Sequence, residues 1–314
     1  MSKIKIALLS GGLSKEREVS LNTGRKIKEA LDKKKYEIFE YDPKTDLKKF
    51  IQDALSKKFD LVFPALHGPY GEDGTLQGML DILKVPYVFS GCLSSALAMN
   101  KFKTKRLVES FGIRVPGDLI IKRKSNYNLE RIIDFLGWPI VVKPVELGSS
   151  VGISIVKDEK ELEKGIKKAL KHGDVLLEEF VEGRELTVAV LGNDNPEALP
   201  VIEIKPKVSE WFDYKAKYEP GASEEICPAP ISNEVKDKIQ GDAIKVFEVL
   251  DCRDLARADF ICDEDNKKLY FLEINTIPGM TSTSLAPQAA QEHGLEFSKF
   301  LDRLIEMALK RAGN

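Results

Sequence analysis

The chain is poor in the side chains from which zinc and redox centres are built. Its 314 residues include four cysteines and three histidines, and none of the cysteines belongs to a C-x-x-C pair. A zinc site needs several such ligands at close spacing, so we do not expect one built from His and Cys. Most of the cysteines stand beside an apolar neighbour, which indicates small buried residues in a reducing cytoplasm.

The chain also lacks an excess of charge of either sign. Its 48 basic and 50 acidic residues give a net charge of −2. This balance lacks the excess of positive charge that binds nucleic acid or an anionic membrane. No apolar run is long enough to span a bilayer, and the N-terminus is typical of a buried strand rather than a signal peptide. We therefore expect a soluble globular protein with neither a nucleic-acid nor a membrane partner.

Two common nucleotide-binding signatures are missing. The first predicted strand, Lys3–Ser10, ends in Gly11 and Gly12 before a helix, an arrangement that often cradles a ligand. The spacing G-x-G-x-x-G is absent, which argues against a nicotinamide-dependent oxidoreductase, and a failure to bind NAD would exclude that alternative. The Gly- and Ser-rich loop 144–152 suits phosphate groups, but it lacks the P-loop motif.

The order of predicted elements indicates more than one domain. Strands alternate with helices over roughly the first hundred residues, which predicts a parallel α/β domain, and the whole chain is too long for one core. A helical pattern covers 94–112. The third predicted strand ends just before His67, where nearby glycines let the backbone approach a ligand. Segment 205–223 has no regular pattern and carries several aromatics, which favours a lid or binding loop.

A predicted hairpin, Arg257–Met280, concentrates polar side chains. Because strand side chains alternate between faces, Arg257 and Asp259 share one face, as do Glu273 and Asn275, whereas Leu272 falls on the opposite face. If the two polar faces coincide, carboxylate and amide oxygens meet, and these are ligands that suit Mg²⁺. A charged hairpin face is more commonly a solvated surface, so the hairpin by itself leaves both interpretations open.

Five stretches together resemble the D-alanine–D-alanine ligase family of ATP-grasp enzymes. They are GGLSKEREVSLNTG, HGPYGEDGTLQG, VVKPVELGSSVGIS, FDYKAKY, and RADF followed by FLEINTIPGMTSTS. They occur in the family's order and spacing, and the similarity covers essentially the whole chain. The resemblance implies an α/β N-terminal domain with a parallel sheet (1–98), followed by two α+β domains of the ATP-grasp fold (99–182 and 183–314).

The resemblance also implies the reaction. ATP phosphorylates the carboxylate of one D-alanine, the amine of a second attacks the acylphosphate, and D-alanyl-D-alanine for peptidoglycan precursors is released with ADP and phosphate. The cofactors implied are ATP and two Mg²⁺ ions, with Mn²⁺ as an alternative. The family further implies a cytoplasmic homodimer.

Roles for individual residues follow from the same resemblance. Lys101 and Lys143 are implied to bind the ATP phosphates. Glu178, Glu179 and Val181 are implied to bind the adenine, and Glu185 the ribose. The implied metal ligands are Asp259, Glu273 and Asn275, and the implied oxyanion donors are Arg257 and the Gly279 N–H. Glu16 matches the ligand of the first ammonium, with His67 nearby. The second substrate is implied to meet a triad of Glu16, Ser149 and Tyr218, and the contacts Lys217, Ser284 and Leu285.

A few positions depart from the bacterial pattern, and some alternatives stay open. Asn100 and Thr283 stand where Asp and His are frequent, and Leu147 stands where Glu sometimes occurs, which bears on fine specificity rather than activity. A non-catalytic ATP-binding module is disfavoured because every implied metal ligand and Arg257 are present. A sibling ligase making D-alanyl-D-lactate or D-alanyl-D-serine is the nearest rival. Some ester-forming relatives carry Phe where this chain has Tyr218, so we expect the dipeptide as the product.

Overall fold

The computed structural model describes residues 3–148, 151–207, 221–263 and 268–313, and within these ranges it contains three separate sheets. The first sheet is parallel, with strands β1 (Ile4–Leu9), β2 (Tyr36–Tyr41) and β3 (Leu61–Pro64) in the order β2-β1-β3. Helices α1 (Arg17–Ala30), α2 (Pro43–Leu55) and α3 (Thr75–Leu83) alternate with or follow the strands. The predicted parallel α/β domain is confirmed.

The second sheet is antiparallel. Its strands are β4 (Asp118–Ile121), β5 (Ile140–Pro144), β6 (Ser154–Val156) and β7 (Val175–Glu179), in the order β4-β7-β5-β6. Helices α6 (Leu129–Leu136) and α7 (Glu159–Ala169) share its apolar core. The helical pattern over 94–112 is divided into α4 (Cys92–Met99) and α5 (Lys101–Ser110), so the continuous helix was wrong. The break occurs because the Asn100 side chain caps α5 by accepting from the Lys103 N–H at 3.0 Å.

The third sheet contains the predicted hairpin. Its strands are β8 (Arg184–Gly192), β9 (Glu197–Ala198), β10 (Ile202–Pro206), β11 (Ser223–Ile226), β12 (Asp254–Asp263) and β13 (Lys268–Asn275). The order is β11-β10-β8-β12-β13, with β9 paired to β8, and the pairs are antiparallel. Helix α8 (Asn233–Val249) packs on this sheet, and α9 (Leu285–Glu292) and α10 (Phe297–Gly313) follow.

The end of the chain returns to its beginning. One cluster of buried side chains joins Ile6 and Phe63 of the first sheet to Phe300 of α10 and to Leu191 and Leu255 of the third sheet. The first and third sheets are therefore held together by a common core, which fixes the N-terminal loops against the hairpin. None of the helices within the described ranges combines the length and apolar character needed to cross a membrane.

A buried carboxylate reinforces this junction. Asp254, at the start of β12, is fully buried, and its Oδ2 accepts from the Phe89 N–H at 2.8 Å. Its Oδ1 pairs with Arg311 of α10, whose Nη2 donates to the Tyr87 carbonyl at 2.7 Å. Burial raises the pKa of Asp254, and the Arg311 guanidinium opposes that shift. The arginine thus compensates a charge that solvent cannot reach.

Arg311→Met is expected to lower the free energy of unfolding by about 3–5 kcal/mol, because the substitution leaves the Asp254 carboxylate buried without its cation. Arg303→Met on the same helix is the control: Arg303 pairs with Glu197 at 2.6 Å, but the two side chains are 41% and 37% exposed. An exposed pair contributes less than about 1 kcal/mol. Urea denaturation of both variants measures the difference, and equal losses would contradict the role assigned to Arg311.

Candidate active site

The polar residues of the hairpin do share one face. Arg257 lies opposite Asn275 across the β12–β13 pair, and Asp259 lies opposite Glu273. The alternate residues Ala258 and Ile274 point into the hydrophobic core with α8. The polar faces of the two strands coincide, which the sequence left open, and the shared face is a cavity wall rather than an open surface.

One residue of the hairpin is placed differently from the prediction. The register shifts after Asp259, so that Phe260 pairs with Phe271, and Leu272 is the extra residue of a β-bulge. Phe271 instead of Leu272 continues the core face and meets Phe260 edge to face, with ring centroids 5.7 Å apart. Leu272 lines the cavity beside Glu273. The assignment of Leu272 to the opposite face was therefore wrong, because strict alternation fails at a bulge.

Arg257 and Asp259 form a closely paired unit. Arg257 Nε lies 2.9 Å from Asp259 Oδ1, and Nη2 lies 2.8 Å from Oδ2. Thr187 of β8 also donates to Oδ1, at 2.6 Å, and the Asn275 amide reaches Oδ2 at 3.3 Å. Burial would lower the pKa of Arg257, but the Asp259 carboxylate outweighs it and the pKa is raised. The arginine is thus charged at every accessible pH and held in a fixed orientation.

Lys101 joins the same face from the start of α5. Its Nζ lies 3.1 Å from Glu273 Oε2 and donates to the Leu147 carbonyl at 2.7 Å. The cap at Asn100 sets the direction of the helix and so brings this nearly buried lysine to the hairpin. Both carboxylates of the hairpin face therefore have a cation beside them.

A cleft separates the second and third sheets, and we call it the inter-sheet cleft. It gathers seven residues singled out from the sequence: Lys143, Glu178, Glu179, Val181, Glu185, Asp259 and Glu273. Its remaining walls are mostly apolar: Val141, Ile153, Ile155, Ile261 and Leu272, with Pro116 and Phe180. Apolar walls with polar groups at the ends suit a flat heterocycle that carries an anionic tail. The apolar lining could not be foreseen, because these residues read as ordinary strand core.

The Glu178 carboxylate, at the base of the cleft, forms ion pairs with two lysines. Lys143 Nζ lies 2.7 Å from its Oε2, and Lys105, which the sequence did not single out, pairs with its Oε1. The only signal for Lys105 is its spacing from Lys101, since residues four apart lie on one helix face.

A second cavity lies on the other side of Glu273, and we call it the hairpin pocket. Of the residues predicted for substrate, it gathers Glu16, His67, Arg257, Gly279, Ser284 and Leu285. Glu273 and Asn275 also line it, so Glu273 borders both cavities. Ser284 Oγ accepts from the Thr281 N–H at 3.2 Å and lies 2.8 Å from Thr281 Oγ1. A Cβ on Gly279 would come within 2.9 Å of that Oγ, so the glycine keeps its backbone close to the serine.

The N-terminal loops close the hairpin pocket with two acidic side chains, Glu16 and Glu72. The carboxylate of Glu16 packs against Gly68. A Cβ added to Gly68 would lie 2.3 Å from Glu16 Oε2, and the φ angle of Gly68 is +75°, so both the space and the backbone favour glycine here. Glu72, which the sequence reasoning missed, accepts from the Gly68 N–H at 2.6 Å. Burial, and then the neighbouring Glu16 charge, raise the pKa of Glu72 to about 8. The position of Glu72 inside the glycine-rich segment after His67 was the available signal.

His67 is buried at the rim of β3. Its Nε2 lies 3.1 Å from Thr23 Oγ1, and its carbonyl accepts from Ser14 Oγ at 2.6 Å. Burial lowers the pKa of His67 to about 4, so the ring is neutral at physiological pH. It can hold the loop and bound ligands by hydrogen bonds, but it carries no charge for a carboxylate.

The low pKa of His67 gives a pH-dependent stability. Between pH 6.5 and 4 the histidine is protonated in the unfolded chain but neutral in the folded one. The free energy of unfolding therefore decreases as the pH falls through this window. The loss attributable to this ring is on the order of 3 kcal/mol. His67→Asn should remove that part of the acid sensitivity, whereas the same change at exposed His172 should not. Denaturant titrations at pH 7 and pH 4 measure it, and equal pH slopes in the two variants would contradict it.

Three residues predicted for substrate lie outside the described ranges. They are Ser149, Lys217 and Tyr218, together with residues 208–220 of the segment predicted as a lid. Among the described residues, no group of three or more His, Cys, Asp or Glu side chains could hold a metal ion. The hairpin face offers two carboxylates and one amide, so a divalent ion there would need further oxygen ligands from a phosphate or water.

Comparison with known proteins agrees with this geometry. The model of the D-ala D-ala ligase C-terminus matches residues 107–306, and that of the N-terminus matches residues 40–92. The D-alanine–D-alanine ligase of Desulfotalea psychrophila is 48% identical over 313 residues, covering 99% of this chain and 96% of that protein. The D-alanine–D-alanine ligase of Syntrophobacter fumaroxidans is 47% identical over 310 residues, covering 98% of each.

Solved structures agree as well. The D-alanine–D-alanine ligase of Bacillus anthracis complexed with ATP has a TM-score of 0.85 at 32% identity, covering 99% of each chain. The VanG D-Ala:D-Ser ligase of Enterococcus faecalis has a TM-score of 0.84 at 34% identity, covering 98% of this chain and all of that one. Sequence, fold and the two adjoining cavities lead to one conclusion: the chain belongs to the D-alanine–D-alanine ligase family.

Proposed function

We propose that the protein uses ATP to join two D-alanine molecules into D-alanyl-D-alanine for peptidoglycan precursors, by way of a D-alanyl phosphate. The observation that carries this proposal is the position of Glu273, which lines both the inter-sheet cleft and the hairpin pocket. A phosphate chain entering from one cavity can thus reach a carboxylate bound in the other. Relatives at 47% and 48% identity are D-alanine–D-alanine ligases, which supports the choice of substrate.

ATP is proposed to lie in the inter-sheet cleft. Its base fits between the apolar walls against Glu178, Glu179 and Val181, and Glu185 is placed for the ribose. Lys143 in the cleft and Lys101 beside Glu273 provide ammonium groups for the phosphates. Ammonium groups close to the phosphates offset the charge that develops during phosphoryl transfer.

The hairpin face fits a divalent cation. Asp259 and Glu273 face each other with Asn275 alongside, and their carboxylates are already balanced by Arg257 and Lys101. This oxygen donor set suits Mg²⁺, or Mn²⁺, completed by phosphate oxygens. We propose that these three residues hold the two ions, which when bound neutralise charge on the transferring phosphoryl group.

The hairpin pocket is proposed to bind both amino acids. Glu16 is placed for the ammonium of the first D-alanine beside His67, and Arg257 with the Gly279 N–H is placed for the oxyanion of the tetrahedral intermediate. Phosphorylation is needed because a carboxylate oxygen is a poor leaving group. Ser284 and Leu285 are placed for the second amino acid. Ser149, Lys217 and Tyr218 are proposed as further contacts from the sequence motifs alone.

A substrate panel tests the proposal. ATP-dependent phosphate release is measured with D-alanine, D-serine, D-lactate and L-alanine, and the products are identified by mass spectrometry. We expect D-alanyl-D-alanine as the main product at neutral pH. Since the VanG D-Ala:D-Ser ligase shares the fold at 34% identity, D-serine is the important comparison. A product that is mainly D-alanyl-D-serine or D-alanyl-D-lactate would overturn the substrate assignment.

We also propose the larger organisation implied by the family. Each of the ranges 1–98, 99–182 and 183–314 contains one of the three sheets, which supports a division into three domains. A cytoplasmic homodimer is proposed, since the reaction consumes ATP and the resemblance to the family implies a dimer. Light scattering on the purified protein at micromolar concentration tests the dimer, and a monomeric mass would exclude it.

A further inference from the structure

Three charged side chains form a buried array beneath the inter-sheet cleft. Glu178 of β7 places Oε2 at 2.7 Å from Lys143 Nζ and pairs through Oε1 with Lys105 of α5. Lys105 is completely buried, and the other two side chains are nearly so. A single carboxylate therefore lies between two ammonium groups that solvent hardly reaches.

The two lysines have different access to the cleft. Lys143 and Glu178 line it, whereas Lys105 lies behind Glu178 with no exposed surface. Asp118, the register neighbour of Glu178 on β4, adds a second acid, and its Oδ2 is paired with Arg106 at 2.8 Å. Its buried Oδ1 has no hydrogen-bond partner among the described residues. Lys105 does not line the cleft as Glu178 and Lys143 do, so the side chain it contacts there is Glu178.

The charge states follow from burial and pairing. Burial lowers the pKa of Lys105 to about 8, which leaves it mostly protonated at neutral pH. Burial would raise the pKa of Glu178, but Lys105 and Lys143 together lower it below its ordinary value. The carboxylate is thus an anion that needs at least one cation beside it.

The second cation, Lys105, allows Lys143 to leave Glu178. If Lys143 were the sole partner of Glu178, its movement toward a phosphate would leave a buried carboxylate without compensation, which is strongly unfavourable. With Lys105 in place, Glu178 stays neutralised when Lys143 leaves it. We propose that Lys105 is a positioning residue for nucleotide binding: it holds and neutralises Glu178, so that Lys143 is free to bind the phosphates of ATP. This inference rests on the proposed ATP site.

The test is direct nucleotide binding to the full-length protein. Lys105→Met keeps the length of the side chain and removes its charge, and Lys103→Met changes an exposed lysine on the same helix as the control. Calorimetry with AMP-PNP and Mg²⁺ should give a Kd at least about tenfold higher for Lys105→Met, and no change for Lys103→Met. In turnover, the KM for ATP should rise while the KM for D-alanine stays the same. An unchanged Kd in folded Lys105→Met would overturn the proposal.

A double variant separates positioning from general loss of structure. If Lys105 acts only through Glu178, adding Lys105→Met to Glu178→Gln should leave the Kd of Glu178→Gln unchanged. Removing both charges of a buried pair is tolerated better than removing one, so the double variant remains measurable if Lys105→Met alone does not fold. A further large loss of affinity in the double variant would overturn the proposal. Failure of the unmodified protein to bind AMP-PNP would instead refute the proposed ATP site.

Discussion

Glu273→Gln is expected to reduce ATP-dependent ligation at least about a hundredfold in a protein that keeps its fold, because loss of the charge proposed to hold the divalent ions would remove several kcal/mol of transition-state stabilisation. Glu273 borders both cavities and faces Asp259 across the β12–β13 pair. The glutamine has nearly the same shape and is neutral, so it would offer no charge to the divalent ions that Glu273 is proposed to hold. In the unmodified protein Lys101 Nζ lies 3.1 Å from Glu273 Oε2, so the substitution also removes the carboxylate partner of Lys101.

The measurement is phosphate release with D-alanine at saturating ATP, with Mg²⁺ and then with Mn²⁺. Glu224→Gln provides the same chemical change on the same sheet, at a half-exposed pair with Lys207, and should retain full activity. Circular dichroism and a thermal melt establish that both variants are folded. Near-normal turnover of folded Glu273→Gln would refute the assignment of Glu273 as a metal ligand.

The polar face of the hairpin was predictable because it depends on local geometry. Alternation along two strands was enough to bring Arg257, Asp259, Glu273 and Asn275 together. The same rule misplaced Leu272, since a bulge adds a residue that the alternation pattern does not reveal. The break at Asn100 is similar: the helical pattern continues across it, and the side-chain cap decides where α5 begins.

Contacts between segments far apart in the chain could not be predicted from the sequence. Lys105 and Glu178 are 73 positions apart, and their pairing depends on how α5 packs against the second sheet. Glu72 reaches the pocket only because the loop after β3 folds toward Glu16. The packing of α10 on the first sheet likewise joins the two ends of the chain. Such contacts leave no periodic signal, so the motifs indicated the chemistry while the second layer of residues around the site stayed hidden.

The second large effect concerns Arg257. Arg257→Ala is expected to lower kcat at least about a hundredfold, the usual result of removing an oxyanion donor. The guanidinium lines the hairpin pocket, and its pKa, lowered by burial but raised more by Asp259, keeps it charged. If Arg257 is the proposed oxyanion donor, its charge is therefore in place before charge develops on the substrate. Steady-state kinetics for ATP and D-alanine, with the fold checked by circular dichroism, measure the effect.

The bidentate pair with Asp259 means that Arg257→Ala could also act by releasing that carboxylate. Thr187→Val separates the two causes, because Thr187 donates to Asp259 Oδ1 at 2.6 Å from the neighbouring strand and does not line the hairpin pocket as described. Thr187→Val removes one hydrogen bond to the Asp259 carboxylate and leaves its pairing with Arg257 intact, so kcat should fall by only about tenfold. If Arg257 stabilises the oxyanion, its replacement lowers kcat far more than Thr187→Val while the Kd of AMP-PNP with Mg²⁺ changes little. A loss confined to KM would show that Arg257 contributes to ground-state binding alone, since an interaction made only in the transition state lowers kcat.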